Sequence, residues 1–178
     1  MNNTIQYSID NDGIATLMLD LPGKSMNVLC EEMIADLSEC IDKVVADDGV
    51  KGAIIASAKK AFVAGADLTE LVTAYDRGVT AVEGYQWSFD LTSVLRKMET
   101  CGKPFAVAIN GLALGGGLEL CLACHYRVMS DHPKAVLGLP EVTIGLLPGA
   151  GGTQRLPRLT GIEKALPLIL QYKKLKPQ

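Results

Sequence analysis

The N-terminal part of the chain shows two different hydrophobic periods. Residues 5–9 alternate apolar and polar side chains, residues 14–19 form a second apolar-rich run, and the turn signal Asn11-Asp12-Gly13 lies between them. This pattern is typical of a β-hairpin. The apolar positions that follow have helical spacing, and Asn27 precedes them: Leu29, Met33, Leu37, Ile41 and Val44. We therefore predict a hairpin followed by a helix that Asn27 caps.

Strands and helices then alternate to the end of the chain. We predict strands at residues 50–56, 105–109, 126–129 and 135–137. We predict one helix that begins at Leu68 after the cap Asp67, a second over residues 79–98 and a third over residues 116–124. Residues 58–66 and 140–152 are expected to be loops, and helices follow to the end. Alternation of this kind predicts an α/β fold, here as a single domain over residues 1–178 with no internal linker or repeat.

Composition narrows the range of partners. The net charge is −3, and the only cluster of basic residues is Lys173, Lys174 and Lys176. Nucleic acids and anionic membranes attract clustered cations, so we expect neither as a main partner. No apolar run is long enough to span a bilayer, and the polar N-terminus does not resemble a signal peptide. We expect a cytoplasmic protein with no membrane span.

The spacing of the cysteines and glycines can be compared with that of known metal-binding, nucleotide-binding and catalytic motifs. Five cysteines favour reduced core thiols over a disulfide framework. Cys121 and Cys124 form a C-x-x-C motif before His125, but no second pair stands at zinc spacing, so we expect no metal site. The glycine-rich segments do not match a dinucleotide loop or a phosphate loop, and no serine elbow accompanies the two histidines.

The segment ALGGGLE, residues 113–119, combines three glycines with one carboxylate. Backbone N–H groups in the first turn of a helix lack an intrahelical partner, and glycine lets a ligand approach them. A helix beginning at Gly116 would present an N–H to an oxygen that gains negative charge, with Glu119 over the same turn. A β-carbon on Gly116 is expected to crowd that oxygen. The alternative is that the glycines only permit close packing and that Glu119 only favours the helix start.

Longer motifs resemble the enoyl-CoA hydratase/isomerase (crotonase) family over essentially the whole chain. They are LPGKSMNVL, FVAGADLTEL (residues 62–71), NGLALGGGLEL (residues 110–120) and LPEVTIGLLPGAGGTQRLPRLTG (residues 139–161). Within the family, the chain is most similar to the N-terminal domain of the multifunctional subunit of fatty acid oxidation complexes. The resemblance implies a spiral of repeated ββα units, here truncated, so that residues 1–178 are a crotonase-like domain incomplete at its C-terminus.

The resemblance also implies a set of site residues. The backbone N–H groups of Ala66 and Gly116 would form an oxyanion hole for the thioester carbonyl of an acyl-CoA. Glu119 and Glu141 would be the catalytic acid/base carboxylates, with Glu119 provisionally the base and Glu141 the acid, although the roles could be exchanged or shared. The residues that would bind coenzyme A are Ala64, Gly65, Ala66 and Leu68. Lys24 would contact the phosphates of coenzyme A.

The implied activity is hydration of the 2,3 double bond of a trans-2-enoyl-CoA in fatty acid β-oxidation. The alternatives are Δ3-Δ2-enoyl-CoA isomerase activity at the same site, or a non-catalytic acyl-CoA-binding fragment. The coenzyme A thioester is substrate, so no cofactor is expected. The chain is expected to form a homo-oligomer or to belong to a larger fatty acid oxidation complex. One departure from the family is Gln171-Tyr172, which replaces a threonine-glycine pair before Lys173.

Overall fold

A computed structural model describes residues 4–177. Within this range the chain forms seven strands: β1 (Ile5–Ile9), β2 (Ile14–Leu19), β3 (Gly52–Ser57), β4 (Phe105–Ile109), β5 (Ala113–Leu114), β6 (Tyr126–Met129) and β7 (Leu137–Gly138). The six α-helices are α1 (Glu31–Ala46), α2 (Leu68–Asp76), α3 (Ala81–Thr100), α4 (Gly116–Ala123), α5 (Gly152–Thr160) and α6 (Ile162–Leu170). A short 3-10 helix spans Glu141–Ile144.

The larger sheet has the strand order β1-β2-β3-β4-β6. The predicted hairpin is confirmed, since β1 and β2 pair antiparallel with Ile5 opposite Leu19. All later neighbours pair in parallel, and each crossover between them contains at least one helix. Alternate residues of the strands enter the core: Ala15, Leu17 and Leu19 of β2, and Phe105, Val107 and Ile109 of β4. The core-facing side chains of α1 pack against this face: Met33, Leu37, Cys40, Ile41 and Val44.

Side-chain caps fix where α2 and α3 begin. Asp67 caps α2 by accepting a hydrogen bond from the backbone N–H of Thr69 at 2.8 Å, as predicted. Thr80 and Glu83 form a capping box at the start of α3, in which each side chain accepts from the other residue's backbone N–H. The predicted helix over residues 116–124 is α4, which begins at Gly116 as expected.

The predicted cap of α1 is wrong. The helix begins at Glu31 after Cys30, and no side chain caps it. Asn27 is fully buried instead: its Oδ1 accepts from the backbone N–H of Leu21, and its Nδ2 donates to the carbonyl oxygens of Leu19 and Phe62 and to Ser57 Oγ. A buried amide with four partners gains more from tying these segments together than from capping an exposed helix end.

Other boundaries differ by a few residues from those predicted. Strand β3 begins two residues after residue 50, and β7 is shifted toward Gly138. The expected loop over residues 140–152 contains the 3-10 helix that begins at Glu141. Tyr172 has a φ of +50°, a left-handed conformation that suits the glycine it replaces.

A second, smaller sheet brings the connecting segments together. Strands β5 and β7 pair in parallel, and isolated bridges add Leu29 to Ala66, and Val63 to Ala113. The segments before α1, before α2 and before α4 therefore lie side by side. This arrangement places residues 63–66 directly beside residues 113–116.

The five cysteines are free thiols, and all but Cys101 are buried. In residues 4–177, no helix is both long enough and apolar enough to cross a membrane.

Candidate active site

Two backbone N–H groups lie at the junction of the α2 and α4 segments. The parallel bridge between Val63 and Ala113 sets the register, so Ala66 and Gly116 each follow that bridge by three residues. Leu29 donates to the carbonyl of Gly65 and accepts from the N–H of Asp67. In a parallel bridge of this kind, the N–H of the intervening residue, Ala66, points away from Leu29.

The N–H of Gly116 belongs to the first turn of α4, where no intrahelical acceptor exists. The two backbones are in contact, because an ideal β-carbon on Gly115 would lie 3.7 Å from the Cα of Gly65. Ala66 is exposed, and its N–H has no backbone acceptor among the described residues. Two adjacent, unengaged donors at a helix N-terminus form a favourable place for an oxygen that gains negative charge.

The glycine run is required by different contacts at successive positions. Gly115 has a φ of +52°, and a β-carbon there would lie 2.9 Å from Oε1 of Glu141. A β-carbon on Gly117 would collide with the carbonyl oxygen of Val63. Glycine therefore serves both tight packing and access to the site, and the two readings of ALGGGLE are not exclusive.

A β-carbon on Gly116 would also meet a side chain of the protein itself. That atom would lie 2.8 Å from Cδ1 of Leu29, which is a buried side chain. A substitution at Gly116 would therefore clash first with Leu29. It would affect the N–H of Gly116 only by displacing the start of α4.

Glu119 is buried, with only 2% of its surface exposed. Its Oε1 accepts two hydrogen bonds, from the backbone N–H of Ala150 at 2.8 Å and from that of Gly152 at 2.7 Å. Gly152 is the first residue of α5, so the carboxylate occupies the N-terminus of that helix. A β-carbon on Gly152 would come within 2.9 Å of Oε1, so glycine is needed for this close approach.

Glu141 lies at the start of the 3-10 helix and is half-buried. Its Oε1 lies against Gly115, next to the helix start that carries the Gly116 N–H. Its Oε2 is buried and lacks a hydrogen-bond partner among the described residues. A buried carboxylate oxygen without a partner is costly in a finished core, and such a group is typical of a site that receives a ligand or a water molecule.

Both carboxyl groups have a raised pKa. Burial, with a smaller effect from the negative charge of Glu141, raises the pKa of Glu119 to about 7 against the hydrogen bonds from Gly152 and Ala150 and the positive charge of Arg155, which lower it. Burial also raises the pKa of Glu141. A carboxyl group whose pKa lies near 7, beside a second one whose pKa is also raised, can take part in both donating and accepting protons, which is the chemical requirement of acid/base catalysis.

The residues expected to contact coenzyme A lie around the exposed Ala66. The N–H of Ala64 donates to the carbonyl of Asn27, and the carbonyl of Gly65 accepts from Leu29, so these two groups are already engaged. The side chain of Leu68 is 56% exposed. Lys24 Nζ lies 3.5 Å from Oδ2 of Asp67, which places its charge beside the α2 N-terminus.

Sequence reasoning missed the groups that hold Glu119. Ala150 and Gly152 contribute only backbone atoms, and no side-chain motif marks such donors. A signal was nevertheless present, because PGAGG precedes a helix, and unpaired N–H groups at a helix start attract a carboxylate. Arg155, whose guanidinium bonds to the carbonyl of Ala150 and to Glu99, was also missed.

Comparisons with known proteins agree with this fold. Residues 10–178 match the family described as enoyl-CoA hydratase/isomerase. The fatty acid oxidation complex subunit alpha of Shewanella halifaxensis is 46% identical over 179 residues, which is 100% of this chain and 25% of that protein. The protein of the same name from Shewanella loihica is 48% identical over 169 residues, 94% of this chain and 23% of that protein.

Solved structures give the same result. The enoyl-CoA hydratase from Bacillus anthracis superposes with a TM-score of 0.86 at 31% identity, covering 97% of this chain and 64% of that one. The enoyl-CoA hydratase from Thermoplasma volcanium gives 0.85 at 30% identity, covering 97% and 65%. The chain thus spans about a quarter of the curated relatives and about two thirds of these structures. Since the family match, the relatives and the superpositions all extend over nearly the whole sequence, the chain belongs to the enoyl-CoA hydratase/isomerase family and has its crotonase-like α/β fold.

Proposed function

We propose that this chain carries an enoyl-CoA hydratase site, in which Glu119 and Glu141 add water across the 2,3 double bond of a trans-2-enoyl-CoA. The observation that carries the proposal is the pair of carboxyl groups with raised pKa values beside two unengaged backbone N–H groups. Each part has a role in hydration. The thioester oxygen accepts from the N–H groups of Ala66 and Gly116 and gains charge as C3 is attacked.

The proton inventory of this reaction balances. Glu119, as the base, takes a proton from water while the water oxygen bonds to C3. Glu141, as the acid, gives a proton to C2 as the enolate charge returns from the thioester oxygen. The pair ends with its proton moved from one carboxyl group to the other, and exchange with solvent restores the starting state. The roles can be exchanged, because coupled carboxyl groups titrate as a pair.

Substrate binding is assigned to the segment before α2. Backbone groups of residues 64–66 and the exposed side chain of Leu68 are proposed to contact coenzyme A, and Lys24 its phosphates. No cofactor is needed, since the thioester itself provides the electron sink. The names of the Shewanella relatives further suggest a role in fatty acid β-oxidation within a larger complex.

Isomerase activity at the same site is the second candidate. One carboxyl group suffices to move a proton between C4 and C2 of a 3-enoyl-CoA, and the thioester oxygen would use the same two N–H groups. The partner-free Oε2 of Glu141 is available for this proton transfer as well as for the one in hydration. Supplying the 3-enoyl-CoA and the trans-2-enoyl-CoA separately distinguishes the two activities.

The decisive experiment follows the absorbance of the conjugated enoyl thioester. We expect the chain to remove this absorbance, and Glu119→Gln and Glu141→Gln each to lower turnover by roughly 10² to 10⁴-fold with little change in coenzyme A binding. The exposed carboxylate of Glu163, in the first turn of α6, provides the control Glu163→Gln. Binding of coenzyme A without any loss of absorbance would instead identify a non-catalytic acyl-CoA-binding chain.

A further inference from the structure

The turn at residues 150–152, which donates hydrogen bonds to Glu119, is fixed by side chains from outside the turn. Oε1 of Glu119 receives hydrogen bonds from Ala150 and Gly152, and both N–H groups belong to one turn at the start of α5. Backbone donors can converge on one oxygen only while this turn keeps its shape. The contacts that fix the turn therefore control the environment of the proposed catalytic carboxylate.

Arg155 makes the central contact with this turn. Its Nη1 donates to the carbonyl oxygen of Ala150 at 2.6 Å, while its Nε and Nη2 donate to the two carboxylate oxygens of Glu99 at 2.6 and 2.9 Å. The paired side chains are only 13% and 22% exposed. Because Arg155 binds both oxygens of Glu99, this bidentate pair fixes the plane of the guanidinium as well as its position.

Helix α3 supplies both anchors of the turn. Glu99 lies near its C-terminal end, and earlier in the same helix Ser88 Oγ donates to the carbonyl of Gly149 at 2.6 Å. Thr92 Oγ1 is 3.3 Å from the same oxygen. Packing alone does not confine Arg155, because its side chain, with those of Glu99 and Arg158, borders an open cavity of about 280 Å³. Glu99 is what keeps the guanidinium on the turn.

We propose that Arg155, oriented by Glu99, is a positioning residue that holds the 150–152 turn so that its two N–H groups converge on Glu119. The inference rests on the proposed function, since it assigns Arg155 to the support of that carboxylate. Arg155 makes no hydrogen bond to Glu119 among the described contacts and acts through the backbone between them.

Two variants, Arg155→Lys and Glu99→Ala, distinguish an effect of charge on the pKa of Glu119 from an effect of the position of the turn. The charged groups that act on Glu119 are Glu141, which raises its pKa, and Arg155, which lowers it. Arg155→Lys keeps the positive charge but loses the bidentate fork. Glu99→Ala removes a negative charge, which by charge alone would lower the pKa of Glu119, but it also releases the guanidinium from the turn.

The test uses the whole chain and two independent readouts. The first is the ionisation of Glu119, followed by NMR with ¹³C-labelled glutamate and assigned by its absence in Glu119→Gln. The second is the pH profile of enoyl-CoA hydration. We expect both Arg155→Lys and Glu99→Ala to raise the pKa of Glu119 and to lower turnover by about 10²-fold, the cost of a displacement of about 1 Å at a reacting group. Arg158 lies on α5 and borders the same cavity without contacting the turn, so Arg158→Gln should change neither the pKa of Glu119 nor turnover.

The inference is overturned if Arg155→Lys titrates like the unmodified chain, or if Glu99→Ala lowers the pKa of Glu119. Thermal unfolding of each variant identifies any that fail to fold, and the other variant then decides the question. The NMR titration needs no turnover, so a chain that does not hydrate enoyl-CoA would refute the proposed function and still leave this test intact.

Discussion

At the scale of single residues, Glu119 combines two opposing requirements. Burial favours its neutral form, while the N–H groups of Ala150 and Gly152 favour the carboxylate. Burial has the larger effect, so the pKa rises from 4.5 to about 7. A base with a pKa near the working pH transfers protons efficiently in both directions, which suits reversible hydration.

The raised pKa makes folding stability depend on pH. Unfolded Glu119 loses its proton near pH 4.5, whereas the folded chain keeps it until about pH 7. The stabilisation is therefore fully present below pH 4.5 and is lost as the pH rises to about 7. At roughly 1.4 kcal/mol per pKa unit, the loss is about 3 kcal/mol.

Glu119→Gln should remove this dependence, because the amide oxygen still accepts from both N–H groups but carries no charge. We expect the variant to exceed the unmodified chain in unfolding free energy at pH 8 and to approach it at pH 5, while losing turnover. Urea unfolding at the two pH values measures the effect, with Glu163→Gln as the exposed control. A variant less stable than the unmodified chain at pH 8 would contradict the electrostatic argument.

At the scale of elements, the sequence predicts what is encoded locally. Helices α2 and α4 begin where expected, because the signals for their starts, Asp67 and the glycine run, lie within a few residues of each start. The helical spacing between Gly116 and Glu119 is also local. The donors to Glu119 come from 31 and 33 residues further along the chain, and no periodicity reports such a contact.

The α1 error has the same origin. Asn27 has the right residue type for a cap, but its partners Ser57 and Phe62 lie 30 and 35 residues away. Its hydrogen bonds join the end of β2, the end of β3 and the segment that leads to Ala66. The resemblance to the family supplied site residues that spacing alone left open, including Glu141, whose pattern by itself also fitted a solvent-exposed turn.

Asn27→Ala should therefore destabilise the fold and disturb the site together. The change leaves the N–H of Leu21 and the carbonyl oxygen of Phe62 without a partner in the core, whereas the carbonyl oxygen of Leu19 still accepts from the N–H of Ala58. Each such group costs about 1–3 kcal/mol, so we expect a loss of at least about 2 kcal/mol in unfolding free energy. Denaturant unfolding measures it, with Asn11→Ala in the exposed hairpin turn as control. Equal stability of the two variants would show that the buried amide is not needed.

At the scale of the whole molecule, large apolar side chains remain exposed on one side of α3. Val82, Tyr85 and Phe89 recur at helical spacing and are 76%, 65% and 49% exposed. The rings of Tyr85 and Phe89 stack at a centroid distance of 5.7 Å, so the stripe is continuous. An exposed apolar surface of this kind is typical of an interaction site, and the small net charge of −3 gives little repulsion between copies.

We expect this stripe, Val82, Tyr85 and Phe89, to make the chain self-associate as its concentration rises. Replacing Val82 and Phe89 together with lysine removes apolar contact area and places like charges on the facing stripes of two copies, so it should shift the chain toward monomer without changing the core, because both side chains face solvent. Light scattering over a hundredfold range of concentration measures the molar mass. Tyr126→Lys, at a 68% exposed position on β6, controls for any loss of exposed apolar area elsewhere on the molecule. A constant monomer mass for the unmodified chain would exclude self-association, and an equal effect of Tyr126→Lys would move the contact from α3 to the sheet.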